Sequence, residues 1–382
     1  MPDPIATTAG AKPLDTDSMY LNMGPQHPST HGVLRLLLKT DGEIVEDVTP
    51  CVGYLHRCAE KIGENLSYVQ FVPYTDRLDY VSSMSDNLGF CLAAEALIGM
   101  EIPRRATYIR VLHAELQRIA SHLLAFGTYG LDIGAFTPFL YAFREREMVL
   151  NLFEMSSGAR LTYNYVRIGG VRGDVSKEFV AKTREFLAAL ERYFPEYNEL
   201  LSFNQIFIQR TAKLGVITPE AAKSWAITGP NLRASGIPWD LRRVEPYCGY
   251  GEFKFDVITG RPHPGVIGDC YNRYYVRILE MMESVKIVKQ CLEGLPEGKI
   301  CADLKKVIKV PAGEKYLRIE NPRGELGYYI VSDGTDKPLR CKIRAPSFSN
   351  TAIIPAISKG CLIADMVAIV GSVDIVLGEV DR

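Results

Sequence analysis

Two histidines stand four residues apart in a short segment that is rich in proline and glycine. The segment MGPQHPSTHGV, residues 23–33, carries His27 and His31 on either side of Pro28. Proline and glycine exclude a continuous helix, so we predict a turn. Histidines with this spacing could bind a metal ion on a helix, but the turn and the lack of a third ligand argue against a metal site. His31 remains a candidate proton donor near neutral pH.

An acid in apolar surroundings is the second candidate. Asp132 lies in the segment 128–138, TYGLDIGAFTP, which the glycines indicate to be a loop. A carboxylate placed among leucine, isoleucine and phenylalanine needs a partner if it is buried. The simpler interpretation is an aspartate that caps a helix or a turn, which is common.

Two arginines and a tyrosine follow in segments that pattern alone does not mark as functional. Arg57 belongs to GYLHRCAEKIGEN, residues 53–65, which resembles a solvated helix with a few ion pairs. Arg77 and Tyr80 belong to PYTDRLDY, residues 73–80, which we predict to be a loop that enters a helix from about residue 78. A tyrosine in such a place is usually half-buried packing.

The elements that must position these residues indicate an α+β fold. A β-hairpin at 33–49, turning at Asp41-Gly42, would hold the histidine segment. A helical core of about 54–292 would form a central multi-helix bundle, and a β-meander of about 314–344 would precede the tail. Its main helices are predicted at 103–127, 138–158, 175–194 and 271–292. We predict one domain, 20–382, after a flexible tail, 1–19.

Composition excludes several classes of function. The chain has 382 residues, a net charge of −1 and 47% hydrophobic residues, as in a soluble globular protein that does not bind nucleic acid. Its nine cysteines form no C-x-x-C pair, which argues against a zinc ribbon or an iron–sulfur site and fits a reducing cytosol. No phosphate-binding or dinucleotide glycine pattern, secretion signal or membrane-spanning run is present. We therefore expect no metal and no cofactor of its own, and membrane contact only through partners.

Eight segments in the same order resemble one family across nearly the whole chain, from Tyr20 to Arg382. The family is that of the 49-kDa subunits of respiratory complex I, whose bacterial members belong to NADH:quinone oxidoreductase. The segments are GPQHPSTHGV (24–33), GYLHR (53–57), DRLDY (76–80), LDIGAFTP (131–138), SGAR (157–160), GPNLRASGIPWDLR (229–242), VSDG (331–334) and GEVDR (378–382).

The resemblance implies a fold like that of the nickel–iron hydrogenase large subunit. In hydrogenases two C-x-x-C pairs hold the metal. Here the corresponding positions carry the segment 77–80, RLDY, and the segment near 378–381, GEVD. Thiolates are needed for such a soft metal site, so the resemblance implies that a quinone pocket has replaced it.

The resemblance also assigns roles to the polar residues. It places His31 and Tyr80 at a quinone headgroup, where each could donate a proton or hydrogen bond to one carbonyl oxygen. It pairs His31 with Asp132, which would orient the imidazole and favour its charged form. His27 would shape the loop or make a secondary contact in the quinone site.

Arginines of this chain would lie near a tetranuclear iron–sulfur (4Fe-4S) cluster held by a neighbouring subunit. Arg57 and Arg77 stand at the matching positions, where a positive charge would stabilise the reduced cluster and raise its potential. The chain departs from its relatives at Thr162, where they carry a histidine. Since threonine does not titrate, a pH-dependence of the cluster potential is not expected from this position.

The implied function is that of the quinone-site subunit of a proton-translocating NADH:quinone oxidoreductase. Quinone would be its substrate, with the 4Fe-4S cluster and the flavin FMN held by partners. The expected partners are the B subunit, the C subunit, the I subunit and the membrane H subunit, at the cytoplasmic side of a bacterial inner membrane. Three alternatives stay open: a ferredoxin-dependent complex, a hydrogenase-type metal subunit and a purely structural scaffold subunit.

Overall fold

An antiparallel sheet of three strands carries the histidine segment. A computed structural model describes residues 18–27, 30–305 and 307–382. The strands are β1 (Met19–Met23), β2 (Arg35–Asp41) and β3 (Ile44–Cys51), in the order β1-β2-β3. The hairpin of β2 and β3 turns at Asp41-Gly42 as predicted, with Asp41 paired to Ile44. Most of the predicted N-terminal tail lies outside the described residues, but its last residue, Met19, already belongs to β1.

Eleven helices follow in the described part of the chain. A small two-stranded ribbon of β4 (Val166–Arg167) and β5 (Gly170–Val171) lies among them in the chain order. The helices are α1 (Ala59–Asn65), α2 (Tyr68–Thr75), α3 (Ser83–Ile98), α4 (Arg104–Asp132), α5 (Phe136–Ser157), α6 (Lys177–Tyr197), α7 (Gln205–Thr211), α8 (Pro219–Ser224), α9 (Pro230–Ala234), α10 (Leu241–Val244) and α11 (Cys270–Glu293). Helix α4 is the central one, since α3, α5 and α11 all pack against it. Among the described residues, no helix is both long and apolar enough to cross a bilayer.

Helix α4 is longer than the sequence predicts. It runs through Gly127 and ends at Asp132, so the predicted loop at 128–138 is wrong over its first half. A Cβ atom on Gly127 would lie 3.1 Å from the Cα of Phe139, and one on Gly130 would lie 3.2 Å from Leu201. The two glycines therefore allow close helix packing and do not end the helix.

Helices α5 and α6 also differ from prediction at their ends. Helix α5 begins at Phe136 after Ala135, which makes no side-chain cap, and ends as predicted at Gly158 in the left-handed region. Helix α6 continues past the proline at 195, and its last residue, Tyr197, leads into a short π-helical turn (Asn198–Ser202).

Arg57 and Tyr80 both lie outside helices, because the helices predicted around them begin later in the chain. The predicted helix at 53–65 begins only at Ala59, and the helix expected from about 78 begins at Ser83. The segments 52–58 and 76–82 are therefore irregular connections. The first of them lies beside the C-terminal segment, since the backbone N–H groups of Gly53 and Leu55 donate to the Asp381 carboxylate at 2.8 and 2.7 Å.

The C-terminal part forms a second antiparallel sheet and then short helices. The β-meander is observed as predicted, with β6 (Gly313–Asn321), β7 (Gly324–Ser332) and β8 (Arg340–Arg344) in sequence order. The helices are α12 (Pro346–Thr351), α13 (Ile354–Ser358), α14 (Ile363–Val373) and α15 (Leu377–Asp381). Apolar residues of α14 and α15 pack on the N-terminal sheet in one buried cluster. This packing holds the histidine segment against the C-terminal segment. The mixed helix and sheet content confirms the α+β class.

Candidate functional site

Backbone hydrogen bonds close the histidine segment into a tight loop. The backbone N–H of Gln26 donates to the carbonyl of Gly32 at 2.9 Å. The N–H and hydroxyl of Thr30 both donate to the carbonyl of His27, at 3.0 and 2.9 Å. His27 is exposed, and His31 has a φ of +50°. The loop therefore turns His31 inward while His27 shapes its rim, and residues 28–29 lie outside the described residues.

His31 and Asp132 lie side by side, as the resemblance implies. The Nε2 atom of His31 is 3.7 Å from Oδ2 of Asp132, and the side chains are 16% and 9% exposed. That distance exceeds a hydrogen bond, and neither atom has a hydrogen-bond partner among the described residues. Asp132 is brought there because α4 continues to its last turn instead of ending at Gly127.

The proton affinities of this pair differ from the sequence-based expectation. Burial raises the pKa of Asp132 to about 7. Burial lowers the pKa of His31 below its usual value, Asp374 raises it in part, and Arg323 lowers it further. At neutral pH the proton of the pair therefore resides more on the carboxyl group than on the imidazole. The acid whose charge chiefly favours the imidazolium is Asp374, to which the sequence analysis assigned no role.

Tyr80 lies in the irregular segment between α2 and α3 and is 36% exposed. The backbone of Gly378 packs on its ring, since a Cβ there would lie 3.3 Å from Cε1. Burial raises the pKa of the Tyr80 phenol, and the charges of Arg323 and Arg57 oppose that effect. The hydroxyl is therefore a protonated donor at neutral pH.

Arg57 joins the segment 77–80 to the segment 378–381 near the end of the chain. One of its terminal nitrogens donates to the carbonyls of Arg77 and Gly378, both at 2.8 Å. The segments 77–80 and 378–381 therefore lie against each other. The side chain of Arg77 is half exposed and donates to the carbonyl of Pro73 at 2.6 Å.

Both arginines line an open cavity of about 480 Å³ at the surface. The lining is otherwise apolar and comes from the start of α1, the end of α2 and the segment after it: Ala59, Ile62, Pro73, Tyr74 and Leu78. Cations on an apolar wall suit a partner that carries negative charge at this surface.

Asp76 is a buried acid beside Arg77 that sequence reasoning missed. It accepts a hydrogen bond from the backbone N–H of Asn164 at 3.0 Å and lies 3.5 Å from the Arg77 guanidinium. Burial raises the pKa of Asp76 to about 7. Thr162 lies two residues before Asn164, and its hydroxyl donates to the carbonyl of Leu161. A titrating group thus exists near this position although Thr162 itself cannot titrate.

Arg323 and Asp374 complete the buried part of the site. Arg323, in the turn between β6 and β7, donates to Oδ2 of Asp79 at 2.8 Å and to the hydroxyl of Ser121 at 3.1 Å. Its other terminal nitrogen lies 3.5 Å from Oδ1 of Asp374. Asp374 sits just after α14 with a φ of +57° and also pairs with Arg277 at 3.4 Å. The sequence signal that could have identified Asp374 is its position within the apolar run 363–380, because a buried acid in such a run must find a partner.

Metal-binding chemistry has no cluster of side chains to support it in the part of the chain that the structure describes. No group of three histidine, cysteine, aspartate or glutamate side chains is close enough there to hold an ion. The nine cysteines are free thiols.

Comparisons with known proteins identify the family of the chain. The family model described as "Respiratory-chain NADH dehydrogenase, 49 Kd subunit" matches residues 132–309 and 303–382. The chain is 51% identical to the D subunit of NADH-quinone oxidoreductase from Bacillus cytotoxicus, over 96% of this chain and 99% of that protein. It is 52% identical to the protein of the same name from Chlorobaculum parvum, over 97% and 94% of the two chains. The chain belongs to the family of 49-kDa subunits of respiratory-chain NADH dehydrogenase.

Proposed function

We propose that this chain is the quinone-site subunit of a proton-translocating NADH:quinone oxidoreductase. One observation carries the proposal: Arg323 contacts both Asp79, the chain neighbour of Tyr80, and Asp374, whose charge acts on His31. Arg57 in turn binds the carbonyl of Gly378, whose backbone packs on the Tyr80 ring. The proton donors and the cationic cavity are therefore parts of one site. A site of this kind can supply protons on one side and receive electrons on the other.

The chemistry of quinone reduction fits these residue types. A quinone takes up two electrons and two protons, and each carbonyl oxygen becomes basic as the electrons arrive. We assign His31, with Asp132 as its proton reserve, to one oxygen and the Tyr80 hydroxyl to the other. His27 then lies at the rim of the loop and not at the reacting atoms.

Electrons would reach the site from an iron–sulfur cluster held by a neighbouring subunit. Arg57 and Arg77 line the open cavity, and we assign that cavity to the interface with the cluster-bearing B subunit. The positive charges would stabilise the reduced cluster. The hydrogenase-like fold would follow from the contact of the segments 77–80 and 378–381, where no cysteine stands in place to hold nickel and iron.

The remaining partners follow from the substrate and the family. A lipophilic quinone requires a membrane subunit that admits it, for which we propose the H subunit, with the C and I subunits completing the assembly. The complex would lie on the cytoplasmic side of a bacterial inner membrane. FMN and the 4Fe-4S cluster would belong to partners.

The test is quinone reduction by bacterial membranes that carry His31→Ala in place of the wild-type chain. We expect a normal amount of assembled complex, a fall in maximal turnover and little change in apparent affinity, since a proton source is lost in the reacting complex. The matched control is His263→Ala, an exposed histidine outside the site.

Electron entry is measured in the same membranes with a water-soluble acceptor that bypasses quinone, and it should not change. Wild-type quinone kinetics in the assembled His31→Ala complex, with several short-chain quinones, would contradict the proposed function.

A further inference from the structure

Arg323 is held by three elements that meet only in the folded chain. Its side chain is 1% exposed and contacts Asp79 before α3, Ser121 on α4 and Asp374 after α14. Its Nε atom has no hydrogen-bond partner among the described residues. An arginine buried to this extent needs its acids, because the charge would otherwise be uncompensated.

Each acidic partner of Arg323 acts electrostatically on one proton donor of the site. Asp79 is the chain neighbour of Tyr80, and its charge raises the proton affinity of that phenol. Asp374 is the acid whose charge raises the proton affinity of His31. The planar guanidinium presents several N–H groups in a fixed fork, so it can hold two carboxylates at once.

We propose that Arg323 is a positioning residue that couples the protonation of His31 to that of Tyr80. The inference rests on the proposed function, because it concerns how the two donors of that site act together. Arg323 keeps its own proton throughout, and the transferred protons go from the donors to the quinone oxygens.

The coupling works through the shared cation. When the Tyr80 phenol shares or transfers its proton, negative charge grows on its oxygen next to Asp79. This charge attracts the Arg323 guanidinium. Asp374 is then less compensated, and its charge strengthens the hold of His31 on its proton. Donation from one residue thus delays donation from the other, which favours two successive proton transfers over simultaneous ones.

Other charged groups face this network and set its background. Burial opposes ionisation of Asp374, but Arg323, Arg277, His122 and His31 together keep its pKa below the usual value. The further groups are Asp132 beside His31, Arg57 beside Tyr80, Glu379 beside Arg323 and Asp86 beside Asp79. Of all these groups, Arg323 is the one whose charge acts on both donors.

Removing the charge of Arg323 and removing the charge of Asp374 should shift the pKa of His31 in opposite directions. Loss of the Arg323 charge should raise the pKa of both donors, because a repelling cation is gone. Loss of the Asp374 charge should lower the pKa of His31, because an attracting anion is gone. In the pH profile of maximal turnover, the alkaline limb marks the loss of the donated proton.

The experiment measures kcat for quinone reduction from about pH 5.5 to about pH 9.5 in complexes with Arg323→Met, Arg323→Lys or Asp374→Asn. We expect the alkaline limb to move to higher pH in Arg323→Met and to lower pH in Asp374→Asn. Arg323→Lys keeps the charge and should hold the limb near its wild-type position despite a lower rate. The matched control is Arg318→Met on the same hairpin, whose partners Glu245 and Glu325 lie outside the site and whose limb should not move.

A limb that stays in place in Arg323→Met and Asp374→Asn, with only a lower rate, would show a merely structural role and overturn the inference. Shifts in the same direction would overturn it as well. If Arg323→Met does not assemble, the pH profiles of the other two variants decide. The inference then requires an alkaline limb at lower pH in Asp374→Asn and a limb near the wild-type position in Arg323→Lys, and any other result overturns it. Failure of the proposed function has a different signature, since it leaves the kinetics of His31→Ala unchanged.

Discussion

The Nε2 atom of His31 lies 3.7 Å from Oδ2 of Asp132, close enough for electrostatic coupling and too far for a hydrogen bond. Both groups are largely buried, and the pKa of Asp132 is raised to about 7 by burial. The carboxyl group is therefore a reserve that carries a proton at neutral pH beside an imidazole that tends to be neutral. Proton transfer between the two side chains needs only that they move slightly closer or that one water molecule bridges them.

Asp132→Asn should narrow the pH range of quinone reduction. In the wild type the pair loses its last proton only near pH 7, because burial raises the pKa of Asp132 to about 7, and the carboxyl group can pass that proton to His31. The amide has no acidic proton to supply, so only His31 remains, whose pKa burial lowers, and the alkaline limb of kcat should move to lower pH. Membranes assayed at several pH values test this, with Asp365→Asn, an acid paired with Arg210 away from the donors, as the control. An unchanged limb would show that Asp132 does not act on the donor.

Tyr80→Phe should weaken quinone affinity more than turnover, because water can replace the hydroxyl as the proton donor. The ring stays in place, and one quinone oxygen loses a hydrogen bond worth about 0.5–1.5 kcal/mol, which corresponds to a roughly 2- to 10-fold rise in KM. The measurement is a quinone titration of assembled complex. Tyr329→Phe is the matched control, because its hydroxyl bonds to Glu314 at the exposed face of the meander. A normal KM in Tyr80→Phe would remove Tyr80 from the headgroup.

Arg77→Met should lower the reduction potential of the cluster in the neighbouring subunit. The Arg77 guanidinium is half exposed at the cavity mouth, and its charge would stabilise the reduced cluster. Redox titration of the cluster signal in assembled complex tests this. Arg104→Met, at an exposed ion pair with Glu252, is the control and should leave the potential unchanged. Equal potentials in both variants would refute the placement of Arg77.

Glu95→Ala should destabilise the helical core without touching the donors. The Glu95 carboxylate holds Arg110 through bonds of 2.6 and 2.9 Å and accepts from the backbone of Gly169 at 2.7 Å. Removing it leaves a buried arginine unpaired, at a cost of about 3–5 kcal/mol. We expect faster thermal inactivation of the assembled complex, with less loss in Glu95→Gln, which still accepts one bond. Equal half-lives for wild type and Glu95→Ala would contradict the pairing.

Sequence reasoning succeeded where the signal was local. The Asp41-Gly42 turn predicted the hairpin, and a long helical pattern rich in charge predicted α11 (Cys270–Glu293) within one residue at each end. It failed at Gly127, because a glycine that ends a helix and one that permits close packing look alike in sequence. It also missed the pairing of Asp79 with Arg323, since those residues are 244 positions apart and share no periodic pattern.

That separation bears on how the site comes into being. Asp79, Ser121, Arg323 and Asp374 meet in one network, so the chain must be synthesised almost to its last helix before the network can close. Contacts of this range form late, after the local helices and the hairpin. A chain still leaving the ribosome would carry His31 and Tyr80 without the shared cation between them. The coupling between the two donors would thus arise only once the C-terminal segment has folded against the rest of the chain.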